Sequence, residues 1–249
     1  RIAAAGRDLV LRKHTYARRT ATMLRTLESG ANNAKLEAGG YYASSRPELV
    51  PHVPITAQRI LDVGCGAGAF GKALKDRGAR EVVGIEVVPD AYERARLVLD
   101  DAICASIENI ELPFSDAYFD CVVCGDVLEH LVDPVVALRK LTRVLRPDGV
   151  IVISIPNVRF YQVVNMLAEG RWQYADSGIM DRTHLRFFTK TELLELVSNA
   201  GLELKGIGPL SMAPEHFLAP PVNGDLTIGR MTLHGVTPQE YEEFRVFQY

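Results

Sequence analysis

Residues 60–71 read ILDVGCGAGAFG, and no other stretch limits the possible folds of this chain so tightly. Ile60 to Val63 form an aliphatic, β-branched run of the kind that makes a buried strand. Glycines follow at alternate positions, Gly64, Gly66 and Gly68. Ala69 to Arg77 then has helical character, with Gly78 placed to end it. A strand, a glycine turn and a helix start make a cradle for an anion or a nucleotide. Glycine lets backbone approach a ligand, and the first turn of a helix offers unpaired N–H groups.

The details separate three kinds of cradle. Gly66 to Lys72 fit a phosphate-binding G-x-x-x-x-G-K, but Ala73 follows and has no hydroxyl to hold magnesium. Gly64, Gly66 and Ala69 fit the dinucleotide pattern G-x-G-x-x-G/A. Asp62 favours a third reading. An acid at the carboxyl end of a central strand suits a ligand that carries an ammonium group. In that respect the stretch resembles motif I of the class I S-adenosylmethionine (SAM) dependent methyltransferases.

The downstream residues strengthen that resemblance. Glu81 to Ile85 reads as a second strand ending at Glu86, about 20 residues past the turn, where an acid can accept hydrogen bonds from a ribose. Pro89 to Asp100 reads as a helix and Ala102 to Ala105 as a short third strand. LPF at 112–114, FDCVVCGDVLEHL at 119–131 and LRPDG at 145–149 follow in order. Together these resemble the type-11 and UbiG-like group of class I methyltransferases. The resemblance implies an α/β, Rossmann-like, seven-stranded sheet in the order 3-2-1-4-5-7-6, with helices on both faces.

It also implies a set of SAM contacts: Asp62, Gly64, Cys65, Gly66, Gly68, Glu86, Val87, Ser106, Ile107, Asp126 and Val127. The family's usual Gly-Asp on the third strand is replaced by Ala105-Ser106, which leaves the adenine to Ser106, Ile107 or the backbone. The fifth strand is expected over Val150 to Ile155. Leu202 to Ile207 and Tyr241 to Tyr249, which ends in the alternating FRVFQY, would supply the last two strands.

Pro156 to Phe188 leaves the fifth strand at its carboxyl end, where ligands bind in open α/β sheets. Its aromatic and charged residues suit a polar, sugar-like acceptor; Asn157, Arg159, Tyr161, Trp172, Asp181, Arg182 and Arg186 are the candidate contacts. Tyr41 and Tyr42, ahead of the glycine turn, are further candidates. GRWQYADSGIMDRTHLRFFT resembles a subgroup of bacterial methyltransferases found with glycosyltransferases. Gly208 to Pro238, rich in proline and glycine, reads as a flap. A hydroxyl acceptor has a high pKa and benefits from a base. His184 and His130 are the candidates, with Glu129 and Asp181 behind them. The spacing assigns no metal site; the clustered acceptor-side carboxylates that a metal-dependent mechanism would need are neither shown nor excluded.

The 249 residues, 47% hydrophobic, suffice for one sizeable α/β domain, read here as 41–249, with cap and flap segments at 156–188 and 208–240. Residues 1–40 read as a basic helical tail and linker. Arg1 to Gly30 holds seven Lys/Arg against two Asp/Glu, a net +5 that leaves −8 for the remainder. The tail's LRKHTYARRTATML resembles the closing helix of CgeB-like glycosyltransferases, which implies a glycosyltransferase partner, covalent or not. A net charge of −3 gives no global sign of nucleic acid binding. No apolar run reaches the ~20 residues of a membrane span, and no secretory signal is visible. Cys65, Cys104, Cys121 and Cys124 lie in apolar or turn stretches, as reduced thiols of a cytoplasmic protein do. Cys121 and Cys124 read as residues of a buried strand.

Three functions compete. The leading one is O-methylation of a sugar or glycan acceptor. Methylation of a small aromatic or quinone-type metabolite is the alternative, and an inactive SAM-binding module beside a glycosyltransferase is the non-enzymatic one. A nicotinamide-dependent sugar reductase would need Tyr-x-x-x-Lys, and no tyrosine here has a lysine four positions on.

Overall fold

The structure, a computed structural model, describes residues 45–212 and 218–249. Tyr41, Tyr42 and the basic tail lie outside the described residues. Five parallel strands form the central sheet: β1 (Arg59–Val63), β2 (Glu81–Glu86), β3 (Asp101–Cys104), β4 (Phe119–Gly125) and β5 (Leu145–Ser154). Their order is β3-β2-β1-β4-β5. β1 sits at the centre, in register with β2 through Asp62↔Gly84 and with β4 through Asp62↔Val123.

Alternate side chains of these strands feed two cores, as the two-residue period of a strand requires. Leu61, Val63, Val83, Ile85, Val122 and Cys124 face one side. They meet α3 (Pro134–Val144) and α5 (Lys190–Asn199), which bury Leu138, Leu141, Leu193 and Leu196. Ile60, Val82, Cys121 and Val123 face the other side, against α1 (Ala69–Asp76) and α2 (Pro89–Ala95). Cys121 and Cys124 are both fully buried and point to opposite faces, so they act as two strand residues and not as a pair. Truncating a fully buried leucine such as Leu138 in such a core costs about 2–5 kcal/mol.

Several expected elements are placed differently. α2 ends at Ala95, and turns carry the chain on to Asp100. LRPDG is a bulge: β5 already pairs at Leu145↔Phe119, and the register then jumps to Val150↔Cys121. Leu202 to Ile207 is not a strand. Its side chains are mostly exposed, and among the described residues no strand pairs with it. The strand there is β6 (Ser211–Met212), antiparallel to β9 (Val246–Gln248). β9 also lies along the chain leaving β5, with Ile155 and Tyr249 exchanging hydrogen bonds of 2.8 and 3.0 Å and the Asn157 N–H donating to the Phe247 carbonyl at 2.9 Å. Of the terminal segment Tyr241–Tyr249 expected as strand, Val246–Gln248 is strand β9, while the residues up to Arg245 close α6 (Pro238–Arg245), which is started by a reciprocal cap between Thr237 and Glu240.

The expected flap contains a hairpin, β7 (Leu226–Ile228) with β8 (Met231–Leu233). It packs with α4 (Tyr161–Ala168) and α6 in a third core of Phe160, Tyr161, Ile179, Leu226, Ile228 and Phe244. The segments after β5 and after residue 208 therefore form one accessory layer.

Candidate active site

The carboxyl ends of β1, β2, β4 and β5 gather the acids and histidines. At the end of β1 the chain must turn without side chains. Gly64, Gly66 and Gly68 have φ of 73°, 54° and 83°, a region that costs other residues strain. At Gly64 space is closed as well: a Cβ there would lie 2.6 Å from Val127 Cγ2. Val127 thus lies over the turn.

Asp62 is 4% exposed, and its Oδ2 has no hydrogen-bond partner. Burial first, then repulsion from Glu86, raise its pKa to about 7, against the pull of Arg46. Glu86 is equally buried but bound at both oxygens: Oε2 accepts from Gly66 N–H at 2.9 Å and Oε1 from Val88 N–H at 2.8 Å. Burial raises its pKa, and those N–H groups oppose the rise. Glu86 therefore fixes the glycine turn as well as standing where a ribose is expected.

At the end of β4, Asp126 adopts φ of 56° and is tied down. Arg46 Nη1 meets its Oδ2 at 3.0 Å, Ser154 donates to its Oδ1 at 2.9 Å, and Gln248 donates to the same oxygen. Sequence reasoning missed Arg46, Ser154 and Gln248, because each is distant in the chain; a polar Gln248 within an alternating apolar strand was the only local signal.

Glu129 and His130 follow in a 3-10 turn, Leu128–His130. Glu129 is 1% exposed, with no hydrogen-bond partner at either carboxylate oxygen. Burial, then the nearby Asp126, raise its pKa well above the usual carboxylate range. His184, also buried, brings Nε2 to 3.9 Å from Glu129 Oε1. The Glu129 carbonyl accepts from the N–H groups of Leu185 and Arg186, at 2.8 and 3.0 Å, which locks the two loops together. The His130 and His184 rings meet edge to face, centroids 4.8 Å apart. Burial, then its histidine neighbour, lower the pKa of His130. Asp181 acts behind them: its Oδ1 accepts from the Thr183 N–H and hydroxyl, and Thr183 in turn contacts His130 Nδ1.

Three residues expected to meet an acceptor are engaged by the protein's own groups. Asn157 donates from Nδ2 to the carbonyls of Glu243 and Val246 at 2.9 and 2.8 Å, and its Oδ1 accepts from Arg159 N–H. Arg159 pairs with Glu243 at 2.6 Å and lies over the Phe244 ring. Tyr161 is buried in the third core. On the cofactor side, Cys65 turns its side chain into the core beside Gly84, and burial pushes its thiol pKa far up. Ile107 is likewise a core residue. Ser106 caps its own turn through Glu108 N–H, and Val87 is exposed.

The exposed members of the expected acceptor wall are Trp172, Arg182 and Arg186. Arg182 pairs with Asp176, and Arg186 donates to the Val132 carbonyl. Trp172 packs edge-on to Phe187 at 5.0 Å, and Phe187 lies 6.2 Å from the His184 ring. Phe187, missed in the sequence, links the aromatic wall to the histidines.

A methyltransferase-domain family model matches residues 12–205, a match that begins inside the stretch read as a tail. The ubiquinone biosynthesis O-methyltransferase of Neisseria meningitidis is 30% identical over 162 residues, covering 61% of this chain and 67% of its own. That of Xanthomonas euvesicatoria is 30% identical over 191 residues, covering 70% and 72%. Among solved structures, a SAM-dependent methyltransferase from Archaeoglobus fulgidus shares the fold at a TM-score of 0.59 and 20% identity, over 74% of this chain and 79% of that one. A Thermotoga maritima SAM-dependent methyltransferase does so at 0.51 and 24%, over 66% and 72%. With the parallel sheet, the glycine turn and the two buried strand-end acids, these matches show that the chain belongs to the SAM-dependent methyltransferase family.

Proposed function

We propose that this enzyme methylates a hydroxyl oxygen of a saccharide-bearing small molecule, using Glu129, His130 and His184 on the acceptor side. The observation that carries the proposal is the chain of contacts from exposed Trp172 through Phe187 to buried His184. An exposed aromatic face beside arginines is a surface on which a sugar ring can lie.

The cofactor supplies an electrophilic methyl group on a sulfonium. The orphaned Asp62 Oδ2 fits its ammonium group, and Glu86 fits its ribose hydroxyls, since each bound carboxylate oxygen keeps a second lone pair. Val127, above the glycine turn, fits an apolar wall. Transfer is an in-line displacement, so the residues' main work is alignment and exclusion of water. His184 is held by the Ile179 carbonyl at Nδ1, 2.9 Å away, so its Nε2 is the atom placed to take the acceptor's proton.

A second reading has its own support: the matched relatives are named for O-methylation in ubiquinone biosynthesis. The same aromatic wall and histidines suit a phenolic ring. We further infer that β9 and β6 extend the sheet beyond β5, in the order 3-2-1-4-5-7-6, supported by the hydrogen bonds from Ile155 and Asn157 to β9. A cytoplasmic enzyme working beside a glycosyltransferase, with its domain starting near residue 41, completes the proposal.

The test is a panel of acceptors with SAM, scored by S-adenosylhomocysteine release and product mass. Methylation of nucleotide sugars or oligosaccharides supports the saccharide reading. Methylation confined to catechols and quinols transfers the site to the second. No turnover with any acceptor, alongside tight SAM binding, would favour a binding module.

A further inference from the structure

Glu129 and His130 leave the end of β4, and His184 comes from the loop beyond α4. Among the described residues these three bring one ligand atom each to within 4.8 Å of one another. Each imidazole is held from behind. His184 Nδ1 lies 2.9 Å from the Ile179 carbonyl, and His130 Nδ1 lies 3.2 Å from the Thr183 carbonyl. A carbonyl only accepts, so both Nδ1 atoms carry the proton and both Nε2 atoms keep a lone pair. Glu129 adds a carboxylate that is almost wholly buried and has no donor at either oxygen. A polar group left so is costly unless something pairs with it.

We propose that Glu129, His130 and His184 form a divalent-cation site. Two imidazoles and one carboxylate make a donor set of intermediate softness, suited to zinc or manganese and poorly suited to calcium. Donors around zinc sit at about 2.0–2.2 Å from the ion, so modest side-chain rotations close the set. The carbonyls behind the imidazoles are the outer partners that orient metal-bound histidines. Three protein ligands leave open positions for water or an acceptor oxygen. There the ion would hold the acceptor's hydroxyl oxygen and lower its pKa, so that the proton passes to water and His184, its Nε2 on the ion, serves the acceptor as a metal ligand in place of a free base. That use rests on the O-methylation reading above; binding of the ion does not.

The test begins with protein stripped by EDTA and desalted. Calorimetric titration with ZnCl2 and with MnCl2 is expected to show one equivalent bound, with Kd in the micromolar range or below, and CaCl2 at least about 100-fold weaker. Glu129→Gln and His184→Ala should each weaken binding at least tenfold, with thermal melts confirming that both variants fold. Mn2+ electron spin resonance reports the same site independently of activity. Turnover of the acceptor found by the panel should fall on chelation and return with zinc or manganese. Less than 0.2 equivalents bound at 100 µM metal, or binding unchanged in both variants, would overturn the site. Full turnover in the stripped protein would overturn the role of the ion. SAM affinity of the same stripped protein is read in parallel, so failure of the methyltransferase reading is seen separately.

Discussion

Asp62 and Glu86 are buried acids at the ends of adjacent parallel strands, and they differ in one respect: both oxygens of Glu86 accept backbone hydrogen bonds, whereas Asp62 Oδ2 accepts none. One acid organises the glycine turn, and the other is the proposed partner of the cofactor's ammonium group. An unsatisfied buried carboxylate lowers stability without a ligand. Asp62→Asn should therefore raise the melting temperature of the cofactor-free protein, by about 1–3 kcal/mol of stability, and weaken SAM binding at least tenfold. Calorimetry and thermal melts check both; weaker stability with unchanged affinity would count against this role.

The same acid makes both quantities depend on pH. Its pKa is raised to about 7, from ~3.9 in an unfolded chain. Between those values the folded chain keeps a proton that the unfolded chain has released. Stability of the cofactor-free protein should therefore fall as pH rises from about 4 to about 7, and flatten above. The ammonium of SAM favours the ionised acid, so affinity should rise about tenfold between pH 6 and pH 8. Titrations at several pH values check this, and Asp62→Asn should flatten the profile.

Glu86→Ala removes both the proposed ribose partner and the acceptor for Gly66 and Val88 N–H groups. It should cost about 1.5–3 kcal/mol of SAM affinity and should also lower the melting temperature. A variant with normal SAM affinity would remove Glu86 from the cofactor site.

Gly64→Ala meets two obstacles, a φ of 73° and a contact of 2.6 Å with Val127 Cγ2. It should destabilise the protein by about 1–3 kcal/mol. Adding Val127→Ala relieves the contact and leaves the backbone strain, so the double variant should recover only part of the loss. Full recovery would show that strain at Gly64 is negligible.

The central fold was legible because its signals are local. Runs such as Ile60–Val63 and Cys121–Cys124 are bounded by turns, and their alternating sides feed the two cores. The accessory layer was not legible, because its residue types have two uses. Asn157 and Arg159 carry the polarity of a binding wall, but their partners Glu243 and Val246 arrive from a helix end more than 80 residues on. Leu202–Ile207 has the apolar residues of a strand, yet among the described residues no strand pairs with it. Histidines and Glu129 were found singly; their convergence depends on the Glu129 carbonyl gripping the Leu185 and Arg186 N–H groups, which no spacing reveals.

In the proposed mechanism His184 serves the acceptor and not the cofactor. The direct measurement is methyl transfer by His184→Ala, with saturating SAM and the best acceptor from the panel, alongside SAM affinity. The expected result is a loss of roughly 10²–10⁴-fold in turnover, with SAM affinity changed less than about threefold. Turnover within about fivefold of the wild type would contradict it and leave His184 a structural residue.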